Sequence, residues 1–103
     1  MTTVRVHPAA ESEVFEVARR YDRRLVGRGD RFLDQIAVVY RRIESQPRAA
    51  SLVTRPASGR EVRQVATRRF PYVVTYEVLP AEAVVLQVRH AGRRGQPWRR
   101  RTP

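Results

Sequence analysis

The sequence predicts an α+β fold in the order β-α-α-β-β-β, with an antiparallel twisted sheet and a two-helix hairpin packed on one face. Two patterns lead to this class. Apolar residues recur at helical spacing between residues 14 and 43, and they alternate with a period of two in residues 72–90. A length of 103 residues suits one domain, so we expect residues 1–103 to form a single unit.

Two amphipathic helices are expected after a short initial strand. Pro8 fits the first position of the first helix, where its missing N–H has no helical partner, and His7 occupies the preceding cap position. This helix runs to Leu25, and a loop containing glycine connects it to a second helix that Asp30 would cap. Basic residues late in the first helix complement its dipole, namely Arg19, Arg20, Arg23 and Arg24.

Three strands are expected to follow an irregular segment at residues 48–59. They cover residues 61–67, 72–79 and 84–90, and their short connections predict an antiparallel meander. One face of the last strand is expected to carry Val84, Leu86, Val88 and His90.

The composition excludes several kinds of chemistry. The chain has no cysteine and no lysine, which excludes disulfides, thiolate metal sites, a cysteine nucleophile and a lysine Schiff base. His7 and His90 share no ligand motif, so we expect neither a metal nor a cofactor. No apolar run approaches the ~20 residues that a membrane span needs, and the N-terminus lacks an apolar signal core. We therefore expect a cytoplasmic protein without a membrane partner.

Positive charge is concentrated in the C-terminal half of the chain. The net charge is +11, and residues 47–103 contribute +9 of it through twelve arginines and three glutamates. Such an excess predicts an anionic partner, either nucleic acid or an acidic protein. Residues 92–103 are polar and rich in arginine, so we expect them to form a basic C-terminal tail.

Several motifs occur in a fixed order along the chain. Pro8–Glu11 opens the first helix, Gly29–Phe32 opens the second, Phe70-Pro71-Tyr72 begins a strand, and Arg89-His90 ends the last strand before Pro97-Trp98. In this order and spacing the chain resembles the RelE/ParE toxin superfamily, nearest to its ParE-like, plasmid-stabilisation branch. The resemblance spans about residues 4–101 and agrees with the order of elements deduced above.

The resemblance implies the toxin component of a type II toxin–antitoxin system. A cognate antitoxin, a small DNA-binding protein with an acidic toxin-binding segment, would neutralise it in a hetero-oligomer. ParE-like members bind DNA gyrase, whereas RelE-like members are endoribonucleases that cut messenger RNA in the ribosome. Both mechanisms remain open at this point, as does a third interpretation, a nucleic-acid-binding protein that acts through its charge alone. The question of whether the chain is an enzyme is open as well.

RNA cleavage would place catalytic roles on His90, Arg63 and Arg89. Histidine titrates near neutrality and suits acid–base catalysis, while the two arginines could clamp a phosphate. The superfamily's usual nuclease residues include a lysine or a tyrosine near the C-terminus. This chain has no lysine and no tyrosine after Tyr76, which counts against RNA cleavage. A structural role for His90 at the rim of the core is an equal alternative.

Binding to a target or an antitoxin would instead use the basic tail and the start of the Tyr72 strand. Trp98 is the only tryptophan, and we expect it to fold back on the helices as an anchor. The arginines that follow it would then form a basic patch beside the sheet edge. The candidate binding residues are Arg69, Tyr72, Arg93, Arg94, Trp98, Arg99, Arg100 and Arg101.

Overall fold

The elements follow the predicted order, with one additional short strand. A computed structural model describes residues 2–103, and Met1 lies outside the described residues. The elements are β1 (Thr3–Val6), α1 (Pro8–Arg24), α2 (Arg28–Ser45), β2 (Ser51–Leu52), β3 (Val62–Ala66), β4 (Tyr72–Val78) and β5 (Glu82–His90). Short 3-10 helices span Pro56–Ser58 and Pro97–Arg100. The α+β class is thereby confirmed. Within residues 2–103, no helix is long and apolar enough to cross a membrane.

The sheet has five strands in the order β1-β5-β4-β3-β2. Strands β3, β4 and β5 form the predicted antiparallel meander. Strand β1 lies parallel to β5, so the sheet is mixed and not wholly antiparallel. The sequence did not determine this direction, because no hairpin turn ties β1 to β5. Strand β2 pairs with β3 inside the segment predicted to be irregular, and its two residues are too few to give an alternating pattern.

A side chain caps the start of each helix. His7 caps α1 as predicted, because its Nδ1 accepts a hydrogen bond from the N–H two residues later, at 3.0 Å. The prediction that Asp30 caps α2 is wrong: the helix begins at Arg28, and Gly27, with φ +90°, occupies the cap position. Asp22 performs the capping role from α1, since its Oδ1 accepts from the Gly29 N–H at 2.8 Å.

The main core lies between the helical hairpin and one face of the sheet. Alternate residues of β4 point toward the helices and are buried, as their period of two predicted. The aromatic rings of Tyr21, Phe32, Phe70 and Tyr72 meet there edge to face or tilted, with centroid distances from 5.1 to 6.3 Å. The helices contribute Ala10, Val14, Val17, Ala18, Phe32, Ile36, Val39 and Ile43.

A β-bulge in β5 changes which residues share a face. Tyr76 of β4 pairs with Val85, but the preceding Thr75 pairs with Gln87, so Leu86 is an extra residue. Before the bulge Val85 faces the helices, whereas Leu86 packs on the opposite face; after it Val88 faces the helices. The prediction of one face from Val84 to His90 is therefore wrong, because one inserted residue reverses the alternation.

Candidate functional site

His90 lies at the end of β5, on the helix side of the sheet. Its Nδ1 accepts a hydrogen bond from the Gly92 N–H at 2.9 Å, which closes the turn after the strand. Its ring meets Tyr72 edge-on, with centroids 5.4 Å apart. Because Nδ1 is an acceptor, the neutral ring carries its proton on Nε2. In that form Nε2 has no lone pair with which to remove a proton from a substrate.

The guanidinium of Arg63 is occupied by hydrogen bonds to a neighbouring carboxylate and a backbone carbonyl. It lies on β3 opposite Tyr76, and its Nε donates to a Glu61 carboxylate oxygen at 3.0 Å. A second donor of the same guanidinium reaches the carbonyl of Ala50 at 2.7 Å. Glu61 also pairs with Arg48 at 2.9 Å. Arg63 therefore joins β3 to the segment after α2.

The structure does not bring the three nuclease candidates together. Arg89 and His90 are consecutive strand residues, so their side chains leave opposite faces of the sheet. His90 pairs with Tyr72, whereas Arg63 pairs with Tyr76, four residues further along the same strand. At the rise of a strand this separates the two positions by about 13 Å along the sheet. A single phosphate group could not contact all three side chains.

Trp98 packs on the sheet face opposite the helices, which corrects the prediction that it folds back on the helices. Its side chain is 2 % exposed and lies against Val62, Val84 and Leu86. These apolar side chains point away from the helices because of the strand alternation and the bulge in β5. The indole covers the small apolar patch that they form, so the basic tail is docked on the sheet.

Arg60 fastens the docked tail. Its guanidinium donates to a Glu77 carboxylate oxygen at 2.6 Å and to the carbonyls of Arg99 and Arg101 at 3.3 and 3.2 Å. The same guanidinium lies 5.4 Å from the centre of a Trp98 ring. Glu77 is buried, so this pair neutralises a charge that would otherwise be costly under the tail.

Arg101, which was predicted to belong to a basic patch beside the sheet edge, is turned into the structure and paired with an acidic side chain. Its two terminal nitrogens donate to the two carboxylate oxygens of Glu13 at 3.0 and 3.1 Å. The pair also satisfies the backbone at the bulge, because Arg101 donates to the Leu86 carbonyl at 2.7 Å and Glu13 accepts from the Val88 N–H at 3.0 Å. These contacts tie the end of the tail to α1 and β5.

Most of the other predicted binding residues are accessible. Arg93, Arg94 and Arg100 are exposed, and within residues 2–103 their side chains form no ion pair. Arg99 is also exposed, and its guanidinium lies 4.8 Å from the centre of a Trp98 ring. Arg69 is exposed in the turn before β4, where its φ of +66° is unusual for a residue with a side chain.

Tyr72 is a core residue in this structure. Its side chain is 7 % exposed and packs with the aromatic cluster beneath the helices. Its ring lies between Phe32 and His90, at centroid distances of 5.2 and 5.4 Å. This burial leaves little of the ring for stacking on a nucleic-acid base.

A basic groove that the sequence interpretation missed lies between α1, the start of α2 and the end of β5. The groove has a volume of about 400 Å³, and four arginines line it: Arg20, Arg24, Arg28 and Arg93. Tyr21, Pro71, Tyr72, Val17 and His90 line the rest of it. The sequence signal was the i, i+4 spacing of Arg20 and Arg24, which had been assigned to the helix dipole alone.

Tyr21 and Arg28 connect the basic groove to the core. Burial raises the pKa of the Tyr21 phenol, and Tyr72 adds to this effect, while Arg28, Arg24 and Arg20 oppose it. The Arg28 guanidinium lies over the rings of Tyr21 and Phe70, 5.5 and 5.7 Å from their centres. Arg28 is therefore held beside the groove by aromatic side chains.

An apolar groove of about 200 Å³ lies on the outer side of the helical hairpin. Phe15, which is 47 % exposed, lies beside Val14 of α1 and Leu33 of α2 in its lining. Tyr40 also lines the groove, and burial, aided by the nearby Glu11, raises the pKa of its phenol to about 12. The groove thus offers an apolar contact surface at physiological pH with a neutral tyrosine in it.

Comparisons with known proteins agree with the architecture. A family model described as the ParE toxin of the type II toxin-antitoxin system parDE matches residues 4–95. A solved structure titled "Chromosomal ParDE TA system from P. aeruginosa" is similar to the fold, with a TM-score of 0.72 and 13 % sequence identity. The match covers 87 % of this chain and 96 % of that chain. No curated protein matches the chain.

Proposed function

Because the chain belongs to the ParE toxin family of type II toxin–antitoxin systems, we propose that it inhibits DNA gyrase by binding and that a cognate antitoxin neutralises it. The observation that carries the choice of a binding mechanism is the separation of His90, Arg63 and Arg89. Arg63 is engaged by Glu61 and lies about 13 Å along the sheet from His90. Arg89 lines a cavity with His90, but its guanidinium donates to the backbone carbonyls of His90 and Arg93. Catalysis needs groups gathered around the reacting atoms, and these are dispersed.

The docked tail supports a binding surface. Trp98 and Arg60 hold residues 97–101 against the sheet, so Arg99 and Arg100 are presented from a docked backbone. Ordering the segment in advance reduces the entropy lost when a partner binds. The proposed target surface consists of the four exposed tail arginines Arg93, Arg94, Arg99 and Arg100.

A gyrase supercoiling assay tests this surface. We compare the wild type with a variant in which the four tail arginines become glutamine, and with a matched control in which Arg19, Arg23, Arg41 and Arg55 become glutamine. All four control arginines are exposed and lie outside the tail, so the two variants have the same net charge. We expect the tail variant to lose inhibition and the control to keep it. Equal inhibition by both variants would exclude the tail as the target surface.

His90 separates this mechanism from messenger RNA cleavage. On the binding mechanism, His90→Ala changes gyrase inhibition only as far as it changes stability. On the nuclease mechanism, the same substitution would lower RNA cleavage in a translating extract by ~10²–10⁴-fold, the usual contribution of a general acid or base. The gyrase proposal would be overturned if the wild type cleaves RNA and His90→Ala abolishes that cleavage.

The apolar groove on the helical hairpin is the proposed docking site of the antitoxin. An amphipathic helix could place its apolar side chains in this groove against Phe15 and Leu33. We expect Phe15→Glu to prevent co-elution with the product of the neighbouring gene on size-exclusion chromatography. Val26→Glu is the control, because Val26 is 92 % exposed in the loop between the helices. Loss of the complex in both variants, or in neither, would contradict this site.

A further inference from the structure

The basic groove is not used by the proposed gyrase or antitoxin surfaces, apart from Arg93 at its rim. We infer that the groove binds the phosphodiester backbone of a nucleic-acid strand, without reading its sequence. Among residues 2–103, none of the groove arginines pairs with a carboxylate, whereas five arginines elsewhere do. The groove gathers Arg20, Arg24, Arg28 and Arg93 with no acidic side chain in its lining.

Helix electrostatics explain only part of this arrangement. Arg20 and Arg24 lie toward the C-terminal end of α1, where a cation complements the helix dipole. Arg28 is the first residue of α2, at the positive end of that helix, where a cation is unfavourable. Arg93 belongs to no helix. Because three separate elements bring like charges into one groove, and the dipole of α2 disfavours Arg28 there, a bound anion accounts for the groove better than helix stability does.

The basic surface continues beyond this groove. An adjoining groove of about 390 Å³ shares Arg28 and adds Arg31 and Arg69, with Asp34 as its only acidic residue. The two grooves therefore form a track of guanidinium groups across one end of the molecule. A row of cations suits the repeating charges of a phosphodiester chain, and the planar fork of arginine matches phosphate oxygens.

The chemistry of the groove lining favours the backbone over the bases. Apart from the arginines, its polar groups are the phenols of Tyr21 and Tyr72 and the ring of His90, and Tyr72 is buried. The lining of this groove contains no asparagine, glutamine, serine or threonine side chain that would hydrogen-bond base edges, and the adjoining groove has one amide side chain, that of Gln35. Contacts to phosphate alone position a strand without specifying its sequence.

A salt titration of oligonucleotide binding tests the inference. Fluorescence anisotropy of a short fluorescein-labelled oligothymidylate is measured with the full chain between about 50 and 200 mM salt. If the four arginines contact four phosphates of a single strand, the logarithm of the association constant should fall with the logarithm of the salt concentration at a slope of about −3. We expect Arg20→Gln/Arg24→Gln to reduce the magnitude of the slope by about 1.4, and Arg20→Lys/Arg24→Lys to retain most of it.

The matched control is Arg19→Gln/Arg41→Gln, which removes two exposed arginines outside the groove, one from each helix. It should keep the wild-type slope. An equal loss of slope in the control would overturn the inference, as would the absence of binding at the lowest salt. Displacement of the oligonucleotide by polyglutamate at an equal charge concentration would also overturn it, because the surface would then suit an acidic protein. None of the altered residues lies in the tail, so the outcome is independent of the gyrase assay.

Discussion

Replacing Trp98 with alanine should remove a large part of the folding stability, although only five residues follow it in the sequence. Its side chain is 2 % exposed and closes the apolar patch of Val62, Val84 and Leu86. The substitution would expose these three side chains and leave the buried pair of Arg60 and Glu77 without its cover. The tail thus acts as a second, smaller core on the outer face of the sheet.

The structure sets the size of the effect. Truncating a buried tryptophan to alanine typically costs about 3–5 kcal/mol of unfolding free energy. Loss of the stacked guanidinium groups of Arg60 and Arg99 adds about 0.5–1 kcal/mol each. In the other direction, the indole Nε1 has no hydrogen-bond partner among residues 2–103, and removing it recovers about 1–3 kcal/mol. We expect a net loss of about 3 kcal/mol, out of roughly 5–15 kcal/mol for a domain of this size.

Urea unfolding followed by far-ultraviolet circular dichroism measures this loss, because the variant no longer contains a tryptophan for fluorescence. Trp98→Phe is the control, since it keeps an aromatic ring under the two guanidinium groups and removes the unpaired donor. It should lose less than half as much stability. A loss below about 1 kcal/mol for Trp98→Ala would refute the second core, since single exposed positions change stability by no more than about 0.5 kcal/mol.

Three further predictions concern residues that fix the fold. Burial alone would raise the pKa of Glu61, but hydrogen bonds from its two arginine partners outweigh it and lower the pKa. The carboxylate therefore stabilises the fold above its ordinary pKa, and this contribution is lost as the pH falls below about 4.5. Glu61→Gln should flatten that part of the curve of unfolding free energy against pH. Gly29→Ala should lower the thermal midpoint, despite alanine's helix propensity, because the new Cβ would clash with the backbone carbonyl oxygen of Ala18. Arg101→Ala should cost about 1–3 kcal/mol in urea unfolding, because Glu13 and the bulge carbonyl lose a partly buried charged donor.

Long periodic segments were the part of the fold that the sequence predicted well. Both helices and the meander of β3, β4 and β5 appear where the apolar periods indicated, because each extends over enough residues for a period to be read. Strand β2 escaped prediction because two residues have no period. The start of α2 was misplaced because Asp22, seven residues before Gly29, supplies the capping oxygen.

The face of each side chain was harder to predict than the strand that carries it. Nothing local in the sequence announces the bulge at Leu86, yet it reverses the alternation for Val88 and His90. The sheet face chosen by Trp98 depends on the same bulge, because Leu86 completes the apolar patch on the outer face. The basic groove was missed for a related reason: Arg93 joins Arg20 and Arg24 only through the tertiary fold.

The arginines of this chain serve two physical roles, and the difference bears on how the protein meets its partners. Five of them pair with glutamates and hold β1, β3, the tail and the bulge in place. Those in the groove and the exposed tail form no such pair within residues 2–103, so in the folded state they add mainly mutual repulsion, which salt screens. A ligand that binds only the folded state stabilises it in proportion to the logarithm of its concentration. An anionic partner that neutralises these arginines would therefore relieve their repulsion and stabilise the folded state in the same step. The affinity for the partner and the gain in unfolding free energy that it produces then report the same interaction.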